Sequence, residues 1–326
     1  MTPRTSRRAL LFGLATATLG APRLSNAQTA GRIPRIVLYV VTPALKESFV
    51  AGLRDLGWVD GQNVVIEVRP GVAGEGTVPQ TELQDVVRRP VEVLLMGGPH
   101  RIRAAMNVTK TIPIVGIDLE SDPVASGFVK SLARPGTNVS GIWMDLPELA
   151  GKQLQFLREI VPTLSRVGVV WDERIGEPQF SQAQAAARAS NISLHAVTLH
   201  NSAEADDAVK RLLVERPQAI LLLTAPAIFL ALPRIAELAR QRRLPSICLF
   251  STYPASGGLI AYGPDFLALW RQTASYVDRI LKGAKIGDLP VERPSKFVLI
   301  INLKTAKALG LTIPPSVLAR ADQVIE

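Results

Sequence analysis

The stretches S-G-G-L-I-A-Y-G-P-D (256–265), Y-V-D-R-I-L-K-G-A-K-I-G-D-L-P-V-E (276–292) and F-V-L-I-I-N-L-K-T-A-K-A-L-G-L-T-I-P-P-S-V-L-A-R-A-D-Q-V-I-E (297–326) decide the fold. The first is a short strand over 259–262 that stops at Gly263-Pro264. Asp265 then stands where a helix N-cap belongs, its carboxylate able to accept from the first free backbone N–H groups. Phe266, Trp270, Ala274, Val277 and Leu281 recur at helical spacing, and Gly283 follows as a C-terminal stop. A Pro/Asp/Gly-rich link leads to an apolar strand over 297–301 and a short final helix.

The same alternation extends upstream. Short β-branched runs fall at 36–41, 64–68, 91–96, 114–119, 139–144, 167–172, 194–199, 219–224 and 246–251. Amphipathic helical patterns lie between many of them, at 45–56, 81–88, 149–160, 179–189, 203–215 and 229–241. Most of the strands are apolar on both faces, as parallel strands covered by helices are. Strands alternating with helices predict a doubly wound α/β fold with parallel sheets. No repeat period occurs, and the only biased segment is the glycine-rich 71–76.

These C-terminal strings resemble, with little interruption, an ABC-importer substrate-binding family whose members carry Y-G-P, Y-V-D-[KR]-I-L-K-G-A-K, D-L-P-V-E and I-N-L-K-T-A-K-A-L-G-L. Ser121-Asp122-Pro123-Val124 with Leu132-Ala133-Arg134-Pro135-Gly136 matches a further block of that family. The resemblance implies a type 1 periplasmic-binding fold: two Rossmann-like lobes joined by three hinge crossings. On this chain the first lobe would be 33–145 plus 252–285, and the second 147–251 plus 287–326. The junctions at 144–147, 251–254 and 288–290 are the implied crossings. It also implies an ABC permease partner, a small-molecule ligand, no cofactor and a monomer.

Residues 1–27 read as an export signal. Arg4, Arg7 and Arg8 precede an uncharged run over 9–21, and Ser25-Asn26-Ala27 offers small residues for cleavage after Ala27. Ser6-Arg7-Arg8-Ala9-Leu10-Leu11 also fits the twin-arginine pattern loosely, so Sec and twin-arginine routes stay open. The expected location is the periplasm. Cleavage leaves 299 residues (326 minus 27), enough for two lobes. It also removes four arginines and no acid, so a net charge of +9 falls to +5. Basic residues are scattered without interleaved aromatics, which argues against nucleic acid. Cys248 is the single cysteine and has no internal disulfide partner; it reads as a small buried hydrophobe.

Nucleophile, metal and phosphate-loop motifs are missing, so no catalytic or metal-ligating residue is assigned. Ligands of open α/β sheets sit beyond the carboxyl ends of strands. On that rule the candidate ligand-binding residues are Thr42, Pro43, Leu45, Gly97, Gly98, Asp118, Asp122, Trp171, Asp172, Thr224 and Ser251. Gly97-Gly98-Pro99 would let backbone N–H groups approach an anion at a helix start, with His100 as a second donor; an ordinary turn is the alternative. Asp122 before Pro123 is either a helix cap or a ligand contact. Trp171 would stack on a planar ligand or pack between lobes, and Asp172 would take an ammonium.

Relatives that take amino acids tend to carry Asp-Asn after the eighth strand, where this chain has Thr224-Ala225-Pro226-Ala227. That departure favours a less polar carboxylate, such as an aromatic or branched acid. The expected function is a periplasmic solute-binding component that closes two lobes on a small carboxylate or amino-acid-like compound. The alternative is an exported ligand-binding subunit of a membrane sensor. An enzyme lacks its motifs here, and a gene regulator would need an N-terminal helix-turn-helix.

Overall fold

A computed structural model describes residues 32–40, 42–70, 78–144 and 148–326. The expected export signal, the loop at 71–76 and positions 145–147 of the first crossing lie outside these residues.

The chain begins with β1 (Arg35–Val40), α1 (Pro43–Asp55), β2 (Val65–Pro70), α2 (Gln80–Val87), β3 (Val93–Gly97), α3 (Pro99–Val108), β4 (Ile114–Asp118) and β5 (Val139–Trp143). These strands form one all-parallel sheet in the order β2-β1-β3-β4-β5. Next come α4 (Glu148–Ile160), β6 (Arg166–Trp171), α5 (Glu177–Ala189), β7 (Ser193–Thr198), α6 (Ala205–Val214), β8 (Ala219–Leu222), α7 (Pro226–Gln241) and β9 (Ser246–Cys248). The chain ends with β10 (Ile260–Pro264), α8 (Phe266–Leu281), β11 (Phe297–Asn302), α9 (Leu303–Leu309), α10 (Pro315–Leu318) and β12 (Gln323–Ile325). The second sheet runs β12-β11-β10-β9-β8-β6-β7, parallel except where β10 meets β11.

Residue alternation explains why both faces are covered. In β1, Ile36 and Leu38 enter one apolar cluster, while Val37 and Tyr39 enter another on the opposite face. In β6, Val167, Val169 and Trp171 face one layer and Val170 the other. Burying each such large side chain is worth about 1.5–3 kcal/mol. Close packing also dictates Gly141 in β5. Its φ of +141° suits glycine, and a Cβ there would lie 2.1 Å from the Gly116 carbonyl oxygen of β4. Cys248 is fully buried in β9, at the centre of the second sheet, and burial pushes its thiol pKa up.

Two lobe boundaries differ from expectation. β10 pairs with β9 and β11, so 252–264 belongs with the second sheet rather than the first. The helix α8 packs on α1, β4 and β5, so the chain crosses between Pro264 and Asp265 and not at 251–254. The return crossing is also later than 288–290. The Val291 and Glu292 amides still donate to the first lobe, at Leu132 O (2.7 Å) and Gly141 O (2.9 Å), and β11 begins only at Phe297. These two crossings lie side by side: Asp265 N donates to Lys296 O at 3.2 Å, and Lys296 Nζ reaches Asp265 Oδ2 at 3.3 Å.

Candidate functional site

The carboxyl ends of strands from the two sheets face one another across a cleft, and the lobes meet there. Thr224 Oγ1, after β8, donates to Leu119 O, after β4, at 3.4 Å. Phe266 of α8 packs edge-on against Phe229 of α7 and Phe250 after β9, with ring centroids 5.5 and 5.3 Å apart. Phe229 and Phe250 meet at 4.7 Å, completing an aromatic wall drawn from both lobes. Leu119 and Glu120 divide the space into two compartments and line both. One is polar, with Ser121, Asp122, Gln153, Gln179 and Gln182. The other is mostly apolar, with Leu45, Phe229, Phe250 and Phe266 around Arg101 and Trp270.

Arg101 is the unusual group of the second compartment. It lies on the buried face of α3 with Ile102 and Ala105, only 3 % exposed. Nη1 donates to Gly97 O at 3.1 Å. Nε and Nη2 have no partner among the described residues, and neither has the Trp270 Nε1–H. Burial lowers the guanidinium pKa from its ordinary value, with nearby Glu120 opposing that shift.

Asp118 and Glu120 sit side by side with different roles. Asp118 is fully buried, and its carboxylate accepts from Glu120 N (2.8 Å), Ser121 N (3.2 Å), Ser121 Oγ and Trp143 Nε1 (3.2 Å). Desolvation still pushes its pKa up, and those hydrogen bonds oppose the rise. Glu120 is pushed well above the usual carboxylate range, first by burial and then by the Asp118 charge. Two adjacent buried carboxyls cannot both ionise cheaply, and burial together with the Asp118 charge favours the protonated form of Glu120.

The sequence-derived candidates divide accordingly. Leu45, Gly97 and Gly98 line the apolar compartment. Gly98 N is committed to Ile117 O at 2.8 Å, so this amide does not face an anion; burial lowers the pKa of His100. Asp122 lines the polar compartment, but its Oδ1 accepts from Val124 N (2.7 Å) and Ala125 N (2.9 Å) as a cap. Thr224 lines neither compartment; its N–H donates to Gln179 Oε1 at 2.9 Å, and its Oγ1–H has Gln179 Oε1 (3.1 Å) as an alternative acceptor to Leu119 O. Thr42, the N-cap of α1, Pro43 at its first position and Ser251 line neither compartment.

Trp171 stacks on Phe180 of its own lobe, ring centroids 4.2 Å apart, and lines neither compartment. Asp172 is held by Arg174, at 2.9 Å from Nε to Oδ1 and 2.6 Å from Nη2 to Oδ2, which lowers its pKa against the effect of burial and already balances its charge. Asp172, Glu173 and His200 place ligand-type atoms within 4.8 Å of one another. The same Arg174 contacts occupy Asp172, so the cluster reads as an ion-pair network. Reading strand ends missed Arg101, Glu120 and Trp270. A signal existed in P-H-R-I-R-A-A-M, where Arg101 shares a helix face with Ala105.

A two-lobed α/β protein with a cavity walled by both lobes is a small-molecule binding protein. Residues 36–325 match the family described as ABC transporter substrate binding protein, and the chain belongs to that family. A tyrosine-binding protein of Clostridioides difficile (strain R20291) is 27 % identical over 281 residues, covering 86 % of this chain and 80 % of that one. Among solved structures, an ABC domain in complex with L-Trp from Streptococcus pneumonia superposes with a TM-score of 0.80. It is 24 % identical and covers 89 % of this chain and 98 % of its own. The ligand-free, open structure of a substrate binding protein with adhesive properties from Clostridium difficile gives 0.64, at 25 % identity and the same coverages. The family binds solutes and is not enzymatic. Among the described residues no helix is long and apolar enough to cross a membrane.

Proposed function

We propose that this chain is the exported solute-binding component of an ABC importer, closing two lobes on a small carboxylate or amino-acid-like compound and presenting it to a permease. The observation that carries the reading is the apolar compartment itself. Arg101, Phe266 and Trp270 come from one lobe, and Phe229 and Phe250 from the other. A ligand there touches both lobes only when they are together, so it stabilises the closed state by contacts the open state lacks. Among the described residues the hinge would lie at Pro264-Asp265 and 293–296.

The tyrosine-binding relative supports an amino-acid-sized ligand. Residues 1–27 would direct export by the Sec or twin-arginine route, and the mature chain would act in the periplasm as a monomer. Thermal-shift screening of the mature chain against amino acids, branched and aromatic carboxylates and sugars tests the reading. At 100 times its dissociation constant a ligand adds about 2.7 kcal/mol, which raises the midpoint by several degrees. Small-angle scattering on the hit should show contraction. An unchanged radius of gyration at saturation would sink the closure mechanism.

A further inference from the structure

Every buried side-chain polar atom without a partner among the described residues lies on one cavity: Arg101 Nε, Arg101 Nη2 and Trp270 Nε1. All three are donors. Nε and Nη2 form one edge of the guanidinium fork, with the spacing of the two oxygens of a carboxylate. Nη1 is spent on Gly97 O, which fixes the guanidinium plane and leaves that edge free. Glu120 is close enough to bear on the Arg101 charge, yet no hydrogen bond joins the two; a buried cation so sparsely paired is costly, and relief of that cost favours an incoming anion.

Acceptors for a cation are lacking on the same walls. Glu120 is the only carboxyl group lining this compartment among the described residues. Behind it Asp118 is saturated by four donors, and its charge disfavours a second one on Glu120. Asp122 lies on the other compartment and caps a turn, and Asp172 is occupied by Arg174.

Resting on the solute-binding reading above, we infer that the cavity takes an apolar monocarboxylate without an α-ammonium group, a branched or aromatic 2-hydroxy or 2-oxo acid. Its carboxylate lies on the free edge of Arg101, and its 2-oxygen accepts from Trp270 Nε1. Its hydrocarbon body rests against Phe229, Phe250 and Phe266. The compartment as it stands measures about 50 Å³, whereas an engineered cavity of about 150 Å³ holds benzene. A branched acid therefore needs less parting of the lobes than an aromatic one, and both sizes belong in the test.

Isothermal titration of the mature chain with two matched pairs isolates the ammonium: 2-hydroxyisocaproate against L-leucine, and 3-phenyllactate against L-phenylalanine. In at least one pair the hydroxy acid should bind about ten-fold or more tightly than the amino acid, because only the ammonium lacks an acceptor. Arg101→Gln should weaken that binding about a hundred-fold, and Arg101→Lys should recover only part of it. The ligand-free Arg101→Gln protein should melt no lower than the parent, since the substitution removes an unpaired buried charge. Tighter binding of the amino acid in both pairs overturns the inference and leaves the solute-binding reading standing. So does a sugar or another solute binding while all four probes fail. If nothing binds and the lobes never contract, both readings fall.

Discussion

Replacing Asp118 by alanine would strand the Trp143 indole N–H, two backbone amides and the Ser121 hydroxyl in a buried place. Leaving such groups unpaired costs about 1–3 kcal/mol each before relaxation, and urea denaturation should show a loss of about 3 kcal/mol or more. Glu67 offers a pH-dependent contrast. It is held by Arg89 at 2.8 Å, Arg69 at 2.7 Å and Arg35 at 3.1 Å, with hydrogen bonding to Arg89 the main cause of a pKa lowered from 4.5 to about 2. A depressed carboxyl contributes stability above its unfolded pKa and loses it as pH falls through the folded one. Glu67→Gln should therefore flatten the fall in stability between pH 4.5 and 2 seen in the parent. Glu120 works in the opposite direction, since its raised pKa means that its contribution declines as pH rises above the usual carboxylate range. Such partners are hard to foresee from sequence. Strand ends pointed to the loops holding Asp118, Asp122 and Asp172, but which donors each carboxylate meets depends on chain brought together later. Arg101 looked like one more surface arginine until its helix was seated.

Secondary elements were far more legible than their partners. The β-branched runs became strands because each has apolar residues on both faces, and Asp265 caps α8 by accepting from Ala268 N at 3.1 Å. Three elements were read incompletely or not at all: α3, of which only the start was expected, and the short α10 and β12. The α3 pattern is interrupted by arginines, one of them buried, and β12 is three residues long. Nor did pattern reveal that β10 pairs antiparallel with β11 in the second sheet, because both strands are apolar throughout and would suit either sheet. In the first sheet, Gly141 of β5 leaves no room for a Cβ beside the Gly116 backbone of β4. Gly141→Ala should lower stability by about 3 kcal/mol or more, from an unfavourable φ plus a clash with backbone that cannot move aside. Thermal unfolding of that variant checks the claim; a loss below about 1 kcal/mol would show that β5 shifts freely.

The family resemblance announced two discontinuous lobes, which composition and periodicity alone cannot do. Its errors were at the crossings, where a strand and the following helix serve different lobes and no residue type marks the change. Cys248, buried in β9 at the middle of the second sheet, has a use that concerns the experimenter more than the cell. It is the sole thiol in the chain, and β9 is paired on both sides within one sheet, so the proposed hinge motion would leave it covered and a thiol reagent reaches it only when that sheet comes apart. Labelling then acts as a clock for unfolding that is blind to lobe motion. With exchange fast relative to labelling, a solute at 100 times its dissociation constant should slow the clock about a hundred-fold, reporting occupancy without a chromophore, a permease or an introduced tag.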